Sequence, residues 1–339
     1  MRKIGLTLGL VLATAVAPQA AFGWGATGHR IISEVAMATL PAELPAFLRT
    51  PDAARMVGEL GREGDRSKGA GRLHGAERDP GHYIDLYDDQ TVFGGPKIDN
   101  LPPTREEFDT AMRAVGQSQY KAGYLYYELI EGWLQLRIDF AYWRVLAAAE
   151  AAATDPARKA EYAADRKLRE MLIVRDLGYW SHFVADTTNP LHVSIHFNGW
   201  GNFPNPNNYT NSNTIHARFE GEFVRNNVTS KDLADAVKTI AVRDCACTIE
   251  QRTVQYILDS FKNVVPLYEL ENKGAFVPGN AAGKAFAIER TAAAVAELRD
   301  LVVFAWTSSA TATVGYPIVN VADVMAGKVD PYVALFGAD

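Results

Sequence analysis

The sequence predicts an all-α protein, a single mostly helical domain with long loops at its functional site. Three observations carry that prediction. Apolar residues recur at helical spacing along most of the chain, capping residues stand where those segments begin, and no run of consecutive segments alternates as strands do. The 339 residues are 48% hydrophobic and 22% charged, a globular composition with enough length for a sizeable core. With 34 Lys and Arg against 40 Asp and Glu, the net charge of -6 leaves no basic footprint for gripping duplex nucleic acid. Bound metal ions would supply positive charge that this balance does not show.

The elements follow in order. Met1, Arg2 and Lys3 precede an apolar run over 4–17, and small residues fill 18–23. This pattern predicts a signal peptide over 1–23 with cleavage before Trp24, a secreted or periplasmic location, and a functional domain over 24–339. No later run has the length and apolarity of a transmembrane segment. Ile31, Ile32, Val35, Ala36 and Leu40 mark a helix after Gly28, and Thr50-Pro51 reads as a cap with proline in the first turn. Thr104 and Glu107 form a capping box for 105–115. A helical stretch over 117–153 stops at Asp155-Pro156, and another runs over 157–186, with breaks allowed. Ser230 is placed as the cap of 231–242, and 247–264 and 281–306 complete the helices. The loops 86–103 and 196–214, the latter with seven Asn, are long enough to be functional. Cys245 and Cys247 form either a local disulfide or two thiols.

The chemistry-bearing residues are histidines and carboxylates. His182 and Asp186 stand four apart, which puts imidazole and carboxylate on one helix face where they can share a metal. His192 follows, reached through a bend at Pro190, and His216 and Glu220 repeat the same spacing. Asp65, His82 and Asp85 lie upstream in a polar, Gly-rich stretch. A single such pair is common on solvated helix faces, whereas two pairs with further His and Asp nearby point to a metal centre.

The ordered set Trp24-Gly25-x-x-Gly28-His29, Asp65, His82-Tyr83-Ile84-Asp85, His182-x3-Asp186-x5-His192 and His216-x3-Glu220 resembles the trinuclear zinc phosphodiesterases. That superfamily comprises the zinc-dependent phospholipases C and the single-strand-specific nucleases. The resemblance implies three Zn2+ ions. Asp65, His82, His182 and Asp186 would hold the first, and His192, His216 and Glu220 the second. The third would sit on the amino nitrogen and carbonyl oxygen of Trp24 with His29 and Asp186, so that Asp186 bridges two ions. A hydroxide bridging two zincs would attack phosphorus. The resemblance places Asp65, Asp85, Lys68 and Asn202 in the catalytic set, with Asp85 as an orienting acceptor and Lys68 where the nucleases carry a phosphate-contacting Arg. His74 and His196 fall outside it. Trp200, Phe203 and Tyr209 are aromatics for a base or a headgroup, or simple packing.

The implied substrate is a phospholipid headgroup or single-stranded nucleic acid or nucleotide, with no stable protein partner. Glu220 resembles the phospholipase C branch, and this is the first reading. The Asn198-Gly199-Trp200-Gly201-Asn202 segment resembles the nuclease branch, which makes a single-strand endonuclease with 3'-nucleotidase activity the alternative. A secreted zinc-binding protein without turnover is the reading from a different class.

Overall fold

The computed structural model describes residues 24–337, so the expected signal peptide lies outside the described residues. Helices make up 66% of the structure and the only sheet among the described residues has two strands, in keeping with a mostly all-α fold. Among the described residues, nine helices of eight residues or more organise it: α1 (Gly25–Ala38), α2 (Pro51–Leu60), α3 (Arg105–Ala114), α4 (Leu125–Ala152), α5 (Pro156–Thr187), α6 (Ser230–Val237), α7 (Ile249–Phe261), α8 (Val264–Asn272) and α9 (Ala281–Ser309). Strands β1 (Thr313–Val314) and β2 (Val319–Asn320) pair antiparallel, with Thr313 opposite Asn320. Two residues per strand are too few to leave an alternating pattern in the sequence.

The scaffold is the long antiparallel pair α4 and α5, joined by the turn at Asp155. Asp155 ends one helix and starts the next, because its carboxylate accepts from the N–H groups of Ala157 (2.7 Å) and Arg158 (3.4 Å), two donors that the first helical turn leaves unpaired. Helix α5 runs without a break. Its first half is largely solvated, whereas from Trp180 to Thr187 every residue is buried. Helices α1, α2 and α9 pack against this buried end, and Phe140, Phe183, Tyr268 and Leu298 belong to one continuous core. A helix end enclosed on all sides has to bury whatever it carries, and this one carries His182 and Asp186.

Local signals set most boundaries. Thr50 accepts from the Ala53 N–H at 3.1 Å, and Thr104 with Glu107 completes the expected capping box. Other boundaries move by a few residues. Thr229, not Ser230, caps α6 in a box with Asp232, and the helix stops at Val237. Thr248 caps α7, which ends before Asn263 so that α8 starts a new axis. The 117–153 stretch divides at Gly123, whose φ of 80° and contact with the Tyr83 carbonyl leave no room for a side chain. Cys245 and Cys247 are disulfide-bonded.

Candidate metal centre

Helix α5 places His182 and Asp186 one turn apart, and both are 0% exposed. The other groups come to them from separate elements. His29 arrives on α1, Asp65 on the short helix Glu63–Arg66, and His82 at the end of the 3-10 turn Asp79–His82. His192 ends the turn Pro190–His192, which follows the Asn189-Pro190 bend. His216 lies in Ile215–Ala217, which continues into a π-helical turn, Arg218–Phe223, that carries Glu220. Turns of this wider kind are rare and concentrate at functional sites.

Three groups form, each with one ligand atom per residue within 4.8 Å of the others: His29, His182 and Asp186; Asp65, His82 and His182; His192, His216 and Glu220. The first two share His182, whose ring stacks on that of His29 at 3.8 Å. Asp186 joins the groups. Its Oδ1 is 3.3 Å from His29 Nε2, and its Oδ2 is 3.3 Å from His182 Nε2 and 3.7 Å from His192 Nδ1.

The hydrogen bonds behind the rings fix their tautomers. Nδ1 of His182 donates to the Gly61 carbonyl (2.8 Å), that of His82 to Asp79 (2.9 Å) and that of His192 to His82 (2.7 Å). A carbonyl only accepts, so each neutral ring keeps its lone pair on Nε2. Those lone pairs face carboxylate oxygens. His82 Nε2 is 3.9 Å and His182 Nε2 3.8 Å from Asp65 Oδ1, and His192 Nε2 is 3.4 Å from Glu220 Oε2. His216 Nε2 lies 2.7 Å from the same Glu220 oxygen. Both Asp186 oxygens, His29 Nε2, His82 Nε2 and His182 Nε2 are buried without a hydrogen-bond partner. Acceptors converging in a dry interior repel one another unless a cation or proton lies between them. The donor set therefore fits metal ions of the nitrogen- and oxygen-binding kind.

The protonation pattern divides the rings: burial disfavours charge on His182 too, but the facing Asp186 and Asp65 carboxylates outweigh it and raise that ring, while three others stay neutral. Burial lowers His29, takes His82 down to about 3 and His216 to about 4, and so keeps these rings neutral. Burial opposes ionisation of Asp186, but the imidazoles of His182, His192 and His29 overcome it and hold the carboxyl well below its usual range. Burial lifts Glu220 to about 8 and Asp85 well above an ordinary carboxyl.

Trp24 is fully buried, and its indole N–H donates to the Ala185 carbonyl (2.8 Å) and to Thr188 Oγ1 (3.1 Å). This anchors the residue beside Asp186 on the same helix end. Lys68 meets Asp65 Oδ1 at 2.6 Å. A cavity of about 300 Å3 opens next to His82, His192 and His216, and Lys68, Asp85 and Lys121 also line it. Asp85 is 3% exposed, with Oδ1 unpartnered. Asn202 is exposed on its loop and is not on the cavity wall. His196 donates from Nδ1 to Trp200 (2.8 Å) and stacks on that ring, and its Nε2 is 3.2 Å from Asp88 Oδ1. His74 is half-buried on Arg72–Arg78, outside the three groups. Trp200 and Tyr209 are buried against Tyr268, so they pack, while Phe203 is partly exposed against Tyr87. No family model, curated protein or solved structure matches the chain.

Two participants escaped the sequence reading. Asn189 donates from Nδ2 to Glu220 Oε2 at 3.0 Å and so orients that carboxylate. Gly64 lies against the His182 ring, where a Cβ would come within 2.5 Å of Cδ2. Asn189 stands beside the proline of the bend, the one hint the sequence offers; Gly64 leaves none.

Proposed function

We propose that the protein is a zinc-dependent hydrolase of phosphoric diesters. The observation that carries this reading is the convergence of neutral imidazole lone pairs and carboxylates, buried and unpartnered, at the edge of a solvent-reaching cavity. Asp65, His82, His182 and Asp186 would hold one ion, His192, His216 and Glu220 a second, and Trp24, His29 and Asp186 a third. When bound, zinc supplies Lewis acidity, which acidifies water and offsets charge on phosphoryl oxygens. The chain's own groups do the rest. Carbonyls behind the rings hold His82, His182 and His192 in the ligating tautomer. Lys68 adds a positive charge, and Asp85, whose burial raises it well above an ordinary carboxyl, lines the cavity. The wall formed by Leu191, Tyr83 and Phe197 limits water around the ester.

Two substrate classes remain within this reading. The Glu220 carboxylate favours a phospholipid headgroup, in the manner of the phospholipases C. Lys68 and Lys121 on the cavity wall favour a more anionic ester, such as single-stranded nucleic acid. The deciding experiment compares rates on phosphatidylcholine and on single-stranded DNA or RNA, with metal content measured before and after a chelator. Three zincs with chelator-sensitive turnover are expected. Bound zinc with turnover of neither substrate would overturn the enzyme reading and leave a secreted zinc-binding protein.

A further inference from the structure

Two ammonium groups line the cavity beside the metal centre, and they are not equivalent. Lys68 is engaged by Asp65 at 2.6 Å. Lys121, in the short helix Gln119–Ala122, is exposed, and among the described residues no carboxylate oxygen lies within 4.0 Å of its ammonium. Its charge instead rests over the Phe93 ring, 4.8 Å from the centroid.

The Phe93 platform is a costly arrangement. Phe93 has φ 48°, in the left-handed region that bulky residues avoid. Its ring packs against Tyr87 at 5.6 Å, and its N–H donates to the Asp85 carbonyl at 2.8 Å. The Asp85 N–H in turn donates to the Ala122 carbonyl at 2.8 Å. The lysine's helix and its aromatic platform are thus both tied to the segment that forms the cavity wall. A strained residue is retained where the surroundings enforce it, and here it steadies a cation that no carboxylate neutralises.

We propose that Lys121 is a specificity-determining residue that recognises a second anionic group of the substrate, beyond the phosphodiester being cleaved, as a neighbouring phosphate of a nucleotide chain would present. The inference rests on the phosphodiesterase reading and deepens it. A trimethylammonium headgroup brought to the same wall would meet like charge, whereas a second phosphate gains a partner that it need not take from an existing ion pair. Lysine suits this task as a point charge, since it does not impose the planar geometry of a guanidinium.

The test uses the zinc-loaded protein and pairs of soluble substrates that differ by one phosphate: dithymidine monophosphate, and the same compound with a 5'- or a 3'-terminal phosphate. The wild type is expected to prefer one phosphorylated form by about fivefold in kcat/KM, mainly through KM, and the preference shrinks with added salt. Lys121→Met abolishes the preference and Lys121→Arg retains most of it, while Lys159→Met, on the far exposed start of α5, leaves it unchanged. Equilibrium binding of thymidine 3',5'-bisphosphate against thymidine 5'-monophosphate gives a readout without turnover, with the same Lys121 dependence expected. A preference that survives Lys121→Met, or wild-type turnover with no preference, overturns the inference. Tighter, Lys121-dependent bisphosphate binding with no turnover of any pair member upholds it and overturns the hydrolase reading instead.

Discussion

Asp186 links all three candidate ligand groups, because its oxygens face His29 and His182 nitrogens at 3.3 Å and the His192 Nδ1 at 3.7 Å, and neither has a hydrogen-bond donor. Asp186→Asn puts an NH2 group where an acceptor stands and removes the charge that, under the proposed function, would balance two dications. Zinc content is expected to fall from three to one per chain, with a rate loss on the order of a hundredfold or more. Metal analysis alongside the diester assay checks both, and full zinc occupancy in the variant would rule out the bridging role. Trp24 supports a second test. Its indole is fixed by Ala185 and Thr188, at the same helix end as Asp186, and the proposed third site takes the amino nitrogen of a protein that begins at Trp24. One extra residue before Trp24 turns that amine into an amide, and the expected outcome is loss of one zinc with the fold unchanged by circular dichroism. The pairs His182 with Asp186 and His216 with Glu220 were legible in the sequence as candidate ligands because helix geometry converts a four-residue spacing into a shared face. Asn189, Gly64 and Lys121 were not, because each acts through a contact that folding alone creates.

At the scale of elements, α5 can serve as a platform for the candidate ligands because other elements press on its C-terminal end. The Gly61 carbonyl holds His182, and Gly64 allows the Glu63–Arg66 helix to approach the imidazole face. Gly64→Ala forces that helix and His182 apart, and the expected cost is roughly 1–3 kcal/mol of stability with weaker zinc retention, read from denaturant unfolding and metal titration. Helix α4 carries a different strain. Burial raises Glu128 from 4.5 to about 7, with Glu131 adding to the shift. The folded state therefore holds a proton that the unfolded state releases, so Glu128 costs nothing below about pH 4.5, and its penalty grows as pH rises to about 7. Glu128→Gln removes the ionisable group, so it should exceed the wild type by roughly 1–3 kcal/mol at pH 8 and match it near pH 4. A difference that is flat with pH would sink this account. Capping boxes made α3 readable, since their bonds are local. The end of α6, the break between α7 and α8 and the π-helical turn at Glu220 escaped, because tertiary packing sets them.

Across the whole molecule, the centre joins segments spread from Trp24 to Glu220, whose apolar residues share one core while their polar ones converge on the candidate ligand groups. With cations in place, the buried carboxylates and lone pairs are mutually satisfied. Without them, Lys68 still pairs with Asp65 and Asn189 with Glu220, but both Asp186 oxygens and the remaining lone pairs have only protons as compensation. Chelation is therefore expected to lower Tm by about 10 °C or more, since ligand binding confined to the folded state at a thousandfold excess over Kd contributes about 4 kcal/mol. The pH dependence of that loss is the sharper test. In the stripped protein, burial lifts Glu220 to about 8, so stability falls as pH rises from about 4.5 through 8 and the carboxyl is driven to ionise. Burial also lowers His82 to about 3 and His216 to about 4, so stability falls again as pH drops below about 6.5, where the unfolded rings take up protons that the folded ones refuse. In the zinc-loaded protein the ionised Glu220 is balanced, which removes the alkaline limb, while protons compete with zinc for the imidazoles and keep the acid limb. The Tm difference between loaded and stripped protein should thus widen steadily from pH 6 to pH 8. A difference that stays constant, or narrows, across that range would mean that zinc does not neutralise Glu220, and the second site as drawn here would be wrong.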